Sequence, residues 1–278
     1  ASCPPKPVTL RLMILMTPGR SLADFGSRLP KVMDVLVRMG LSPLLVAQGI
    51  FVIAKALRLP EASGDRSGVF GEGPRLRLLL LGDSSAAGVG VETQDAALSG
   101  RLVEQLSGTF RLEWALDAKT GATTKTTLKR LDTSHPYPVD AVVVALGVND
   151  TTRFVSRRRW RQRQTELLDR LSNSYGARQL YVSGVPPLGQ FPLLPQPLRW
   201  VLGRHAAQLD DELRKLLSDR PNCHYITVDL PPDPALMAED GFHPGAAVYQ
   251  AWAEALAEKI TSDFADRLTD PAQRATRR

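Results

Sequence analysis

From Leu76 onward the chain alternates short apolar runs with longer stretches of helical spacing, and this alternation limits the fold more than any other feature. The runs are LRLLLL (76–81), RLEWALDA (111–118), AVVVAL (141–146), QLYVSGV (179–185) and HYITVDL (224–230). Most are apolar throughout rather than at every second residue, as expected of strands covered on both faces in a parallel sheet. Residues 95–107, 122–131, 156–173, 199–219 and 245–264 read as helices. Strand followed by helix, five times over, predicts an α/β fold: a doubly wound, parallel five-stranded sheet in a three-layer α/β/α arrangement. No repeat of solenoid period interrupts it.

The region before Leu76 reads differently. The first thirty residues show no clear periodicity. LSPLLVAQGIFVIAKAL (41–57) is apolar but interrupted by Pro43 and Gly49, and it falls short of the roughly 20 residues a membrane span needs. It is expected to be a core or interfacial helix that packs against the rest of the chain or a second copy. RLPEASGDRSGVFGEGPR (58–75), rich in Gly, Pro, Ser and charge, reads as a linker. The expected organisation is an N-terminal extension over 1–73, an α/β domain over 74–265 and a polar tail over 266–278.

In a parallel sheet, ligands bind beyond the carboxyl ends of the strands. Ser84 lies just past the first run, in LLLLGDSSAAGVG; Gly121 follows the second; Gly147 and Asn149 follow the third; Asp240 and His243 follow the fifth. These residue types suit acyl transfer. A serine hydroxyl needs a base, and imidazole suits neutral pH. The base in turn needs a carboxylate to hold its tautomer and stabilise its cation. Asp240, three residues before His243, is placed to do so. The main-chain nitrogens of Ser84 and Gly121 and the side-chain amide of Asn149 are candidate donors to an oxyanion.

GDSSAAG, the glycine of KTGATT, GVND and DGFH together resemble the sequence blocks of the SGNH, or GDSL-type, serine hydrolase family, and they span residues 82–243. The resemblance implies a flavodoxin-like sheet, a Ser84, Asp240, His243 triad, and hydrolysis of esters or thioesters with neither metal nor cofactor. The chain departs from the family name at Ser85, where a leucine would stand. Ser85 is expected to be a turn residue and Ser84 the nucleophile. The Gly-x-Ser-x-Gly elbow of the other large esterase fold is missing, since Ala86 occupies its last position.

Local structural explanations compete with several of these assignments. Glycines past strands serve turn geometry, and Asp83 is expected to cap a following helix. His135, His205 and His224 have no partner pattern. RFVSRRRWRQRQ (153–164) carries six arginines and no acid; it reads as a solvated helix face, with a role towards anionic substrates or headgroups as the alternative. VPPLGQFPLLPQPLRWVLG (185–203) reads as a rigid apolar wall in which Phe191, Leu193, Leu194 and Trp200 line an acyl or alcohol pocket, or as a loop that only covers the core.

The net charge of +6 arises from 35 basic and 29 acidic residues interspersed along the chain. With no nucleic-acid-binding motif, it predicts no nucleic-acid partner. Cys3 and Cys223 make no disulfide framework, consistent with a reduced cytoplasmic setting. The function expected is that of an esterase acting on small-molecule esters of short to medium acyl chains. The alternatives are a thioesterase or lysophospholipase, a carbohydrate acetyl esterase, or, in another class, a non-hydrolytic SGNH-fold binding protein or an acyltransferase. A homo-oligomer through 41–57 and contact with a membrane surface are lesser expectations.

Overall fold

The computed structural model describes residues 31–55, 59–227 and 233–266. Two compact units divide the chain, Ala1–Leu44 and Leu45–Arg278. Helix α1 (Lys31–Lys55) runs through the division and continues unbroken past Pro43 and Gly49. The expected helix is present, and it starts ten residues before the apolar stretch, at Lys31. Within the second unit Leu45 and Val52 of α1 pack on a cluster around Trp160, Leu194, Leu198 and Leu202. Gln48 fastens the helix there: its Nε2 donates to Gln196 O at 2.6 Å and its Oε1 accepts from Leu198 N at 3.1 Å. Val46 and Ile50, on the other side of the helix, are exposed. No helix among the described residues is long and apolar enough to cross a membrane.

The five expected strands form as β2 (Arg75–Gly82), β3 (Arg111–Ala118), β4 (Ala141–Ala145), β5 (Gln179–Ser183) and β6 (Cys223–Ile226), all parallel to their neighbours in the order β3-β2-β4-β5-β6. The last ends earlier than expected, and residues 228–230 of that run lie outside the described residues. A sixth strand, β1 (Ser67–Phe70), pairs antiparallel with β3 at the edge. It corrects the expectation of a linker over 58–75. SGVF is exposed throughout and carries no periodic signal, so only pairing with β3 reveals it as a strand.

The leucine run is explained by burial on both faces. Leu76, Leu78 and Leu80 point into a cluster with Phe110, Tyr249 and Leu256, and Leu79 and Leu81 into a second with Leu128, Leu167 and Leu171. Helices α2 (Leu98–Ser107) and α7 (Ala246–Asp263) cover the first face. Helices α3 (Thr124–Thr133), α5 (Arg157–Asn173) and α6 (Leu198–Ser218) cover the second. A short helix, α4 (Val148–Thr152), follows β4. Truncating one of these leucines to alanine costs about 2–5 kcal/mol. The order of the strands reverses direction at β2, between β3 and β4, and loops from both sides diverge there to leave a crevice.

Candidate active site

Four loops meet above this crevice. The first, after β2, is held by main-chain bonds: Asp83 N donates to Ala145 O at 3.1 Å, Ala87 N to Asp83 O at 3.0 Å and Val89 N to Ser84 O at 3.0 Å. Gly88 takes φ +82° there, and a Cβ on it would stand 2.6 Å from that of Ala62, so only glycine fits. From α7, the Tyr249 hydroxyl donates to Val89 O at 2.7 Å. The turn is therefore rigid, and Ser84 on it is buried, 8% exposed.

Asp83 caps no helix. Its Oδ1 accepts from Ser85 N at 3.0 Å and its Oδ2 faces Asn149 Nδ2 at 3.4 Å. Burial drives its carboxyl up to about 6, against the opposing pull of the Ser85 N–H and His243. The sequence signal was present, since a carboxylate beside the nucleophile on a closed turn has few partners within reach, but an amide 66 residues away was not.

The loop 237–245 carries Asp240 and His243. Asp240 Oδ1 accepts from Phe242 N and His243 N, each at 2.9 Å, and Gly241 takes φ +64° to close the turn. The same carboxylate accepts from the ring: His243 Nδ1 lies 2.5 Å from Asp240 Oδ2, and His243 Nε2 lies 2.9 Å from Ser84 Oγ. Burial alone would raise the Asp240 carboxyl, but the bonds from the ring and the two main-chain N–H groups outweigh it and hold it below the usual carboxylate range. With Nδ1–H donating to the carboxylate, Nε2 is left to accept the serine proton.

Gly121 lies in the turn between β3 and α3, at φ +77°, with no atom within 4 Å of where a Cβ would stand. Its backbone needs glycine, and the space beside it is open. The turn is anchored by Thr123, whose side chain accepts from Thr126 N at 3.2 Å in a capping box that starts α3. Asn149 stands in α4, after Gly147 at φ +143°, where a Cβ would meet Val185 Cγ2 at 2.8 Å. One buried carboxylate ties these two loops together. Asp150, fully buried, accepts from Thr124 N at 2.9 Å and Thr124 Oγ1 at 3.0 Å, and Arg163 stands 4.0 Å from its other oxygen. Gln164 completes the network by donating to Thr124 Oγ1 at 3.0 Å.

The four expected lining residues fare unequally. Phe191 packs edge-on against Phe242, ring centroids 5.3 Å apart, and Phe242 packs in the same way against His243. Leu193 borders the Gly241 turn. Leu194 is turned into the core beside Trp160, 3% exposed, and Trp200 lies under the Arg204 guanidinium. Leu194 thus serves packing, and Trp200, in α6, is half-buried.

Comparison with known proteins agrees with this architecture. The GDSL-like lipase/acylhydrolase family matches residues 80–251. No curated protein matches the chain. Solved structures of the same fold include a carbohydrate esterase of family 2 with a carbohydrate-binding domain from Corynascus thermopiles (Myceliophthora fergusii), at 17% identity and TM-score 0.56 over 70% of this chain and 68% of that one. The psychrotrophic esterase EstA from Pseudoalteromonas sp. is similar at 19% identity and TM-score 0.51, covering 68% and 98% of the two chains. A lipase/acylhydrolase from Enterococcus faecalis follows at 18% and 0.52, covering 68% and 96%. The family match spans more than half of the sequence and takes in all four loops of the crevice. This chain belongs to the GDSL-like lipase/acylhydrolase family and is a carboxylic ester hydrolase.

Proposed function

We propose that the protein hydrolyses small-molecule carboxylic esters of short to medium acyl chain through an acyl-enzyme on Ser84. The observation that carries this reading is the unbroken line from Ser84 Oγ through His243 to Asp240, at 2.9 and 2.5 Å. Ser84 Oγ attacks the ester carbonyl carbon while its proton passes to His243 Nε2, and Asp240 stabilises the imidazolium. The negative charge that develops on the carbonyl oxygen is received by Ser84 N–H, Gly121 N–H and Asn149 Nδ2. The imidazolium then gives its proton to the leaving alcohol oxygen as the C–O bond breaks. Water, deprotonated by the same imidazole, attacks the acyl carbon, and the proton returns to Ser84 as the acid departs.

The chain-length reading rests on the wall beside His243. Phe242, Phe191 and Leu193 give an acyl chain a short apolar contact, while Leu194 belongs to the core and adds no depth. Labelling with a fluorophosphonate followed by peptide mapping tests the nucleophile: modification at Ser84 is expected, and modification at Ser85 instead would overturn the assignment. A panel of nitrophenyl esters from acetate to palmitate tests the acyl preference. Fastest turnover on the palmitate ester would refute it.

A further inference from the structure

The arginine-rich stretch after Asn149 has a part in the site that the reaction above does not use. Arg153 follows Asn149 by four residues and caps the C-terminal end of α4. Its main-chain N–H is fixed to Asn149 O at 3.2 Å. Its guanidinium reaches across the crevice, and Nη2 donates to Gly121 O at 3.2 Å. One arginine thus touches both loops that supply oxyanion donors. A guanidinium has five N–H groups in a planar fork, and the bond to Gly121 occupies one of them. The side chain is exposed, so charge is presented to an incoming ligand without a prior cost of burial.

The surroundings leave this charge uncompensated. Lys119, in the same turn as Gly121, and Lys125, in the first turn of α3, are both exposed. Among the described residues none of Lys119, Lys125 and Arg153 has a carboxylate within ion-pair distance. The acids that adjoin the loop are already engaged. Asp117, just before Lys119, is paired with Arg130. Glu61 accepts from Thr120 N and Oγ1 and is paired with Arg66. Asp150, which feels the field of Arg153, is buried against Thr124 and Arg163.

We infer that Arg153, with Lys119 and Lys125 beside it, forms an anion subsite next to the oxyanion donors, and that the enzyme prefers esters carrying a carboxylate or phosphate close to the scissile carbonyl. This rests on the esterase reading of Ser84 and adds the substrate class. The forked guanidinium matches two oxygens of either anion, and the open space beside Gly121 leaves room for the group.

Two matched substrate pairs test the subsite and separate the sources of charge. Nitrophenyl hemisuccinate against nitrophenyl butyrate places a carboxylate on the acyl side. Butyryl glycerol phosphate against monobutyrin places a phosphate on the alcohol side. In at least one pair the wild-type kcat/KM favours the anionic member, and Arg153→Gln, which removes the charge, reduces that preference by about tenfold or more. Arg153→Lys retains part of it, Lys119→Gln with Lys125→Gln weakens it by a smaller factor, and about 0.5 M salt weakens it in the wild type. Equal kcat/KM within both pairs in the wild type, or an equal loss on charged and neutral members in Arg153→Gln, overturns the subsite while leaving the esterase reading intact. Turnover of none of the four esters removes both.

Discussion

The two halves of the crevice are built to different tightness. On the proton-transfer side every polar atom has a close partner: Ser84 is buried, its hydroxyl 2.9 Å from His243, the ring 2.5 Å from Asp240, and that carboxylate takes two further main-chain bonds at 2.9 Å. On the oxyanion side the Asn149 amide has only a long 3.4 Å contact to Asp83, and nothing stands within 4 Å of a Cβ position on Gly121. The difference is what the proposed mechanism asks of each half. A base must be aligned before substrate arrives, whereas donors to an oxyanion must stay unsatisfied until the charge appears. Breaking the tight half therefore should stop chemistry, and breaking the open half should slow it.

The largest effect is expected from Ser84→Ala, with kcat lowered by roughly 10⁴ or more and the melting temperature changed by only a few degrees, since about one hydrogen bond of about 1 kcal/mol is lost. Steady-state assays with a nitrophenyl ester and thermal unfolding on the same sample measure both. Loss of folding in this variant would mean that the turn depends on the hydroxyl and that the two halves do not divide as described. Asn149→Ala is the matching cut on the open side: kcat should fall by roughly 10²- to 10³-fold, the usual cost of one oxyanion donor. A loss as complete as that of Ser84→Ala would erase the contrast.

Asp150→Ala attacks what the open half rests on. It leaves the Thr124 N–H and hydroxyl without their acceptor inside the protein and should cost about 3 kcal/mol. Because α4 and the start of α3 then part, kcat should fall as well, with less change in KM. Asp150→Asn, which keeps one acceptor oxygen, should recover much of both. Urea unfolding and steady-state kinetics on the pair decide this. Full activity in Asp150→Ala would show that Gly121 and Asn149 hold their places independently.

The tight half was more readable from sequence than the open half, for a physical reason. Asp240 and His243 act through a turn three residues long, and Ser84 sits at the end of an unmistakable buried run, so local chemistry announces them. Gly121 and Asn149 were placed by strand order, yet Asp83, Asp150 and Arg153 acquire their partners only when β2, β3 and β4 lie side by side, at separations of 66, 26 and 32 residues. The same holds for the fold. The five parallel strands show as apolar runs because helices bury both their faces. The edge strand β1, exposed at every residue, has no burial to leave a pattern. Helix α1 was legible as a helix over its apolar part from residue 41, but its first turns from Lys31 lie outside that apolar run and left no signal.

Asp83 joins the two halves, since it holds Ser85 N–H beside the nucleophile and faces the Asn149 amide, and it gives the subtlest test. Its carboxyl is raised by burial from 3.8 to about 6, so the folded state binds its proton more tightly than the unfolded chain does. The resulting stabilisation is complete below the unfolded value and is lost as pH rises through about 6. Above that pH the native protein bears the cost of a buried carboxylate, of about 3 kcal/mol from a shift of this size. Asp83→Asn removes the charge, so its melting temperature relative to wild type should rise between pH 4 and pH 8, with most of the change around 6. Activity should move the other way. An asparagine whose oxygen keeps the bond from Ser85 N–H turns its NH₂ towards the NH₂ of Asn149, two donors face each other, and kcat should drop several-fold while the triad distances stay intact. Thermal unfolding of both proteins across the pH range, read beside kcat at pH 8, checks the two signs together. A stability difference that stays flat with pH would place the carboxylate in a better-solvated site than this one, and a variant that gains stability without losing turnover would show that Asn149 needs no help from Asp83 to face the substrate.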